Sequence, residues 1–181
     1  LVPWMVLVAG VHTLLIYRHT GNALRTTNLF LILAFVLVLY STYLTSSGDL
    51  QDTSVHAFTG EGITKWHLRG LLLVFLLPSL ILFFNRYKRI PFIAKEEEGS
   101  SREFWMFIGS LIFFLSALFI TIATSLPVIN KIFGSNFTIG EDAVFSYNRV
   151  IIFVAIIIGI LTAVVQYLKY KQTDPKFFRK K

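Results

Sequence analysis

Cysteine is absent from the chain, and charged side chains make up only 15% of its residues. Without cysteine the chain forms no disulfide, no thiolate metal site and no cysteine nucleophile, so any metal it binds must rely on histidine. Soluble domains carry about a quarter charged residues, whereas 55% of this chain is hydrophobic. The composition therefore favours a protein of the lipid bilayer.

The sequence also has no initiating Met and no secretory signal. Leu1 opens inside an apolar run that is typical of a helix interior. The first 25 residues contain neither a basic segment before an apolar core nor a small-residue cleavage site after it. We therefore expect the first apolar segment to stay in the membrane and the chain to be an internal part of a longer protein.

Five apolar runs reach or approach the roughly 20 residues that a membrane span requires. None has a clean amphipathic stripe, and helices that are apolar all round are what lipid contact favours. Pro78 is the one proline that we expect to interrupt a span. The sequence thus predicts an all-α, polytopic transmembrane helix bundle, a single region over 1–181 with two outer loops. About five spans are predicted, near 1–17, 27–45, 67–84, 104–126 and 149–168.

The basic residues are distributed unevenly between the alternate loops. Thirteen of the 17 Lys and Arg residues lie in 18–25, 85–102 and 169–181, whereas Lys65, Arg69, Lys131 and Arg149 lie on the other side. Inner loops are enriched in Lys and Arg, so loops 46–66 and 127–148 are predicted to be periplasmic and the tail cytoplasmic. The membrane is expected to be a bacterial inner membrane. This topology accounts for the net charge of +7 without nucleic-acid binding.

Two histidines are candidates for chemistry. His12 lies six residues before Arg18, about 9 Å inside the inner end of the first predicted span. An ionisable group at that depth is either functional or a neutral side chain hydrogen-bonded between helices. A neutral imidazole is also a good axial ligand for heme. His56 lies in the long outer segment 45–66, and long ordered loops are usually functional.

Arg149 opens the last predicted span on the outer side, against the charge bias. It either reaches lipid phosphates or holds an anionic group such as a heme propionate, which suits its forked donors. His67 beside Trp66 is a weaker candidate ligand. Asp49 and Asp52 are expected to be solvated acidic residues of the outer loop without a role.

The motif Ser54-Val55-His56-Ala57-Phe58, preceded by a Thr-x-Ser-Gly turn at 45–48, resembles the outer-loop signature of CcmF-type cytochrome c maturation proteins. Leu1-Val2-Pro3-Trp4 followed by His12 is similar to the segment after that family's tryptophan-rich WWD motif. Ser125-Leu126-Pro127 and Asn148-Arg149-Val150 fall in the family's order. The likeness extends along most of the chain and is strongest over 1–58.

By this resemblance, His12 would be an axial ligand of a heme b in the membrane, and His56 an axial ligand of heme handled at the outer face. The family's members are heme lyases, which join heme vinyl groups to the Cys-x-x-Cys-His motif of apocytochrome c. The resemblance also implies a heme-delivery chaperone and thiol-reducing maturation proteins as partners. Because the WWD motif and the second histidine of each pair are missing, the segment alone is expected to be inactive. The alternative is a heme or small-molecule transporter without ligation activity.

Overall fold

The computed structural model describes residues 1–50, 63–93, 99–140, 142–170 and 173. The regular secondary structure of these residues consists of helices, with no β-strand, which confirms the predicted all-α class. A short 3-10 helix, Tyr87–Arg89, follows the third α-helix. The α-helices are α1 (Val2–Thr20), α2 (Leu24–Ser46), α3 (Ile63–Arg86), α4 (Arg102–Phe133) and α5 (Ala143–Val165).

Among the residues that the structure describes, four segments are long and apolar enough to cross a membrane: α2, α3 with the 3-10 helix, α4 and Val144–Val165 of α5. The chain is therefore a multi-pass membrane protein. α1 is not among the four, because it carries His12 and ends in polar residues, but it is the most enclosed helix. Its residues Val6, Ala9, Thr13 and Ile16 are all less than 2% exposed.

The main helix contacts place the five helices in the order α3, α2, α1, α4, α5, with each helix packed on the next. Small residues let α1 approach its neighbours closely, as in other membrane bundles. A Cβ atom added to Gly10 would lie 3.1 Å from Leu31 Cδ2. The core between α1, α2 and α4 consists of Met5, Val6, Ala9, Phe30, Ala34, Ala117 and Ile120.

Helical structure extends past the predicted end of the fourth span. Pro78 was expected to be the one proline within a span, but Pro127 also lies inside a helix, because α4 continues to Phe133. The predicted outer loop 127–148 correspondingly shrinks to the connection between Phe133 and Ala143. Hydropathy marks only the lipid-embedded part of a helix, whereas the backbone hydrogen bonds continue for as long as the sequence permits a helix.

The end of α1, the start of α4 and the end of α5 are joined by polar contacts. The buried Glu103 accepts hydrogen bonds from Thr20 Oγ1 at 2.8 Å and Asn22 Nδ2 at 2.6 Å. Arg102 Nε donates to Val165 O at 3.1 Å and its Nη2 donates to Gln166 O at 2.7 Å. A guanidinium at this position donates to carbonyls at the end of α5 and complements its negative dipole end.

Candidate functional site

The orientation of the His12 ring is fixed by its own helix. Its Nδ1 lies 2.8 Å from the carbonyl oxygen of Val8, one turn earlier. Since a carbonyl oxygen can only accept, Nδ1 must carry the proton in the neutral ring. The Nε2 atom therefore presents a lone pair, which is the form of imidazole that binds a metal.

His12 lines a cavity of about 270 Å³ in the half of the bundle that holds the start of α4 and the end of α5. Apolar side chains form much of the wall, and the rings of His12 and Phe113 lie 6.4 Å apart between centroids. Arg102 and Tyr170 also line it, and the Arg102 guanidinium lies 5.3 Å from the Tyr170 ring centroid. The cavity thus combines an imidazole, an apolar wall and a cation. Its other lining residues are Trp105, Met106, Gly109, Ile158, Leu161, Thr162, Val165 and Gln166.

The structure does not bring Arg149 to this cavity. Arg149 is exposed in α5, nine residues before Ile158, which places it about 14 Å further along the helix. His56 lies outside the described residues, as does Asp52. Within the part of the chain that the structure describes, no group of three or more His, Asp or Glu residues is arranged to hold a metal ion.

A second polar cluster was missed by the sequence analysis. The Asp49 side chain, 1% exposed, is surrounded by three cations and one hydroxyl. Its Oδ1 accepts from Lys65 Nζ and from Lys131 Nζ, the latter at 3.1 Å. Its Oδ2 accepts from Tyr43 Oη at 2.5 Å and lies 3.7 Å from Arg69 Nη2. We call these five residues the Asp49 cluster, and they overturn the expectation that Asp49 is a solvated loop residue.

The surroundings of Asp49 also set its charge. Burial alone would raise the pKa of its carboxyl, but the hydrogen bonds from Lys65, Tyr43 and Lys131 outweigh burial and hold the pKa well below its usual range. Asp49 is therefore ionised at neutral pH. It compensates one of three positive charges, so the cluster carries a net charge of +2.

The sequence did contain a signal for this cluster. Lys65, Arg69 and Lys131 are three of the four basic residues on the side where Lys and Arg are scarce. Lys65 and Arg69 are also four residues apart, which puts both on one face of α3. What the sequence could not supply was Lys131, because only the packing of the helices brings residue 131 to residue 49.

No family model matches the chain, and no solved structure matches it significantly. Several curated proteins do match the chain. The chain is 30% identical over 133 residues to the cytochrome c-type biogenesis protein CcmF of Haemophilus influenzae, covering 73% of this chain and 20% of that protein.

The CcmF of Pseudomonas aeruginosa is 30% identical over 166 residues, 88% of this chain and 24% of that protein. The probable cytochrome c-type biogenesis protein NrfE of Escherichia coli is 31% identical over 134 residues, 74% of this chain and 24% of that protein. The chain thus spans about a quarter of the length of these relatives. By these matches and by the motif around His56, the chain belongs to the CcmF-type family of cytochrome c biogenesis proteins.

Proposed function

We propose that this chain takes part in cytochrome c biogenesis as a heme-handling membrane segment. In this proposal His12 is an axial ligand of a heme b within the membrane. His56 is an axial ligand of the heme that is presented at the outer face of the inner membrane for attachment to apocytochrome c. The partners would be apocytochrome c with its Cys-x-x-Cys-His motif, a heme-delivery chaperone and thiol-reducing maturation proteins.

The observation that carries the proposal is the hydrogen bond between His12 and Val8. It keeps the ring in one tautomer, so no reorganisation is needed before Nε2 binds iron. Phe113 and Met106 offer an apolar wall, and Arg102 offers a cation for an acidic edge. These groups fit a heme, which would supply reversible one-electron chemistry when bound.

The volume of the cavity limits how much of a heme this chain encloses by itself. Ligand pockets typically measure about 300–1,000 Å³, whereas the His12 cavity measures about 270 Å³. The remaining walls must therefore come from other parts of the protein, which is consistent with a chain that spans about a quarter of its relatives. The second axial ligand would have the same source, so the segment alone would be inactive.

For the outer heme, the proposal needs an imidazole and cations on the same side of the membrane. His56 would supply the imidazole, and ligation would orient the vinyl groups toward the incoming thiols. Arg149 remains a predicted propionate contact. It is exposed and does not line the His12 cavity, so we assign it to the outer heme.

The heme b assignment is tested by reduced-minus-oxidised absorption spectra of the purified full-length protein. His12→Ala should abolish the b-type signal. His67→Ala is the matched control, because His67 Nδ1 also donates to a carbonyl one turn earlier, Ile63 O at 2.9 Å, yet it is exposed on α3 away from the cavity. A heme-free wild type, or equal loss in both variants, would contradict the assignment.

The outer site has a separate test in cells. His56→Ala should stop covalent heme attachment to a c-type cytochrome, measured by heme staining in denaturing gels, and should leave the membrane b-type signal in place. Attachment at the wild-type level would argue against a lyase role. That result, together with normal heme export, would favour the transporter alternative. No broken span supports that alternative in the described helices, since α3 runs through Pro78.

A further inference from the structure

The Asp49 cluster holds more positive charge than its internal contacts require. Lys65, Arg69 and Lys131 come from two helices and converge on a single carboxylate. Their side chains are 22%, 38% and 66% exposed, whereas that of Asp49 is 1% exposed. The negative charge is thus enclosed and the positive charges face outward. The five residues of the Asp49 cluster together carry a net charge of +2.

The cluster also has more hydrogen-bond donors than acceptors. Both oxygens of Asp49 are engaged, Oδ1 by two ammonium groups and Oδ2 by Tyr43. An ammonium group has three N–H bonds and a guanidinium has five, so the three cations carry more donors than their contacts within the described residues use. Arg69 donates from Nε and Nη2 to Tyr43 Oη, each at 3.1 Å, and among the described residues its Nη1 atom has no acceptor.

The cations are also held in place before any ligand arrives. The Arg69 guanidinium lies 5.1 Å from the centroid of the Trp66 ring and 5.6 Å from that of Tyr43. Fixing a side chain in advance lowers the entropy cost of binding. Trp66 is 70% exposed, so a broad apolar ring adjoins the cations. An amphiphilic anion with a flat apolar body matches this pairing of surfaces.

We propose that the Asp49 cluster is a carboxylate-binding site and that its ligand is the propionate edge of the heme handled beside it. The cluster flanks the segment that contains His56, since Asp49 precedes residues 51–62 and Lys65 follows them. Two surplus positive charges match two propionates, and Lys131 and Arg69 carry the contact. This inference rests on the proposed function, because it takes heme as the ligand.

The probes for the test are hemin and hemin dimethyl ester, which share a macrocycle but differ in the two carboxylates. Each is titrated into the full-length protein in detergent, and the dissociation constants are compared. We expect the wild type to favour hemin over the ester. Lys131→Met should reduce that preference by roughly threefold to tenfold, the effect of one partly exposed charge-assisted contact.

Two further variants make the comparison specific. Lys131→Arg should keep the preference for hemin, because it preserves the charge and the donors. Lys88→Met removes an exposed lysine from the 3-10 helix after α3, at the opposite end of the bundle, and it should leave the preference unchanged. Lys131 is the most exposed member of the cluster, so its replacement should not impair folding.

The outcomes separate the two proposals. If neither probe binds the wild type, the proposed function fails together with this inference. If both probes bind equally well, the heme function stands and the carboxylate site is wrong. A preference for hemin that persists in Lys131→Met also overturns the site.

The phosphate of a lipid headgroup offers similar chemistry, so the titration is repeated in nanodiscs with and without phosphatidylglycerol. We expect the preference for hemin to persist in both. If phosphatidylglycerol abolishes it, the cluster is a lipid site and the inference is overturned.

Discussion

The Asp49 side chain is almost fully enclosed by three cations and the Tyr43 hydroxyl. An aspartate after a Ser-Ser-Gly turn is ordinarily solvated, and the sequence offered no reason to single it out. Its partners lie 16, 20 and 82 residues away, at Lys65, Arg69 and Lys131. The local sequence cannot reveal such an environment, because it exists only after three helices have packed.

Replacing the Asp49 carboxylate should destabilise the fold. Asp49→Asn removes the negative charge among three cations and puts an amide donor where an acceptor stood. The expected loss is about 1–3 kcal/mol in the free energy of unfolding. Denaturant unfolding in detergent, followed by tryptophan fluorescence, measures it. Asp142→Asn is the matched control.

Asp142 caps α5, where its Oδ1 accepts from Phe145 N at 3.0 Å, and asparagine caps a helix about equally well. Asp142→Asn should therefore leave the unfolding free energy within about 0.5 kcal/mol of the wild type. Equal losses in the two variants would mean that the Asp49 cluster contributes no particular stability.

The contribution of the Asp49 carboxylate to folding stability should depend on pH. Because the pKa of Asp49 is lower in the folded protein than in the unfolded chain, its contribution to stability is complete above the unfolded value of about 3.9. It is lost as the pH falls from there toward the folded value. The stability difference between wild type and Asp49→Asn should be constant from about pH 5 to 7 and should shrink below about pH 4. A difference that stays constant down to pH 3 would contradict this account.

The hydrogen bond of His12, in contrast, depends only on its own helix. In any α-helix a histidine ring can reach the carbonyl one turn earlier, so the hydrogen bond to Val8 needs no tertiary structure. The depth of His12 followed from counting residues to Arg18. What the sequence could not give was the wall of the cavity, since Phe113 and Leu161 come from other helices.

At the scale of the helix, long apolar runs predicted each of the five α-helices, but the helix ends were predicted less well. The predicted spans 67–84 and 104–126 correspond to helices that begin earlier and end later, at Ile63–Arg86 and Arg102–Phe133. Hydropathy falls where side chains leave the lipid, but helices end where capping groups intervene. Gly134, with a φ of 65°, ends α4 in the left-handed conformation that glycine adopts without strain.

Close packing of α1 against α2 should depend on Gly10. Its Cβ position meets Leu31 and Phe30 at 3.1–3.4 Å, so Gly10→Val forces the helices apart and should cost about 1–3 kcal/mol. Gly159→Val is the matched control, because a Cβ there meets no atom within 4 Å. Thermal unfolding of the two variants in detergent measures the difference. Equal stability would show that α1 and α2 tolerate a wider separation.

At the scale of the whole molecule, the helix row α3, α2, α1, α4, α5 could not be predicted from the sequence. Alternation of loops fixes only that neighbours in the chain run in opposite directions. It does not reveal that α4 packs on α1 while α3 lies at the far side of α2. That arrangement follows from small residues such as Ala9 and Ala117, whose positions in the core emerge only when the helices are assembled.

The length of α4 has a consequence for where the Asp49 cluster sits. Its 32 residues extend about 48 Å, whereas the hydrocarbon layer is about 30 Å thick. A helix this long must tilt or project, and bilayers of different thickness change how far it does so. The distance between Lys131, in the last turn of α4, and the hydrocarbon layer then depends on the thickness of the bilayer. Membrane thickness would thereby set how far the Asp49 cluster lies from the hydrocarbon layer.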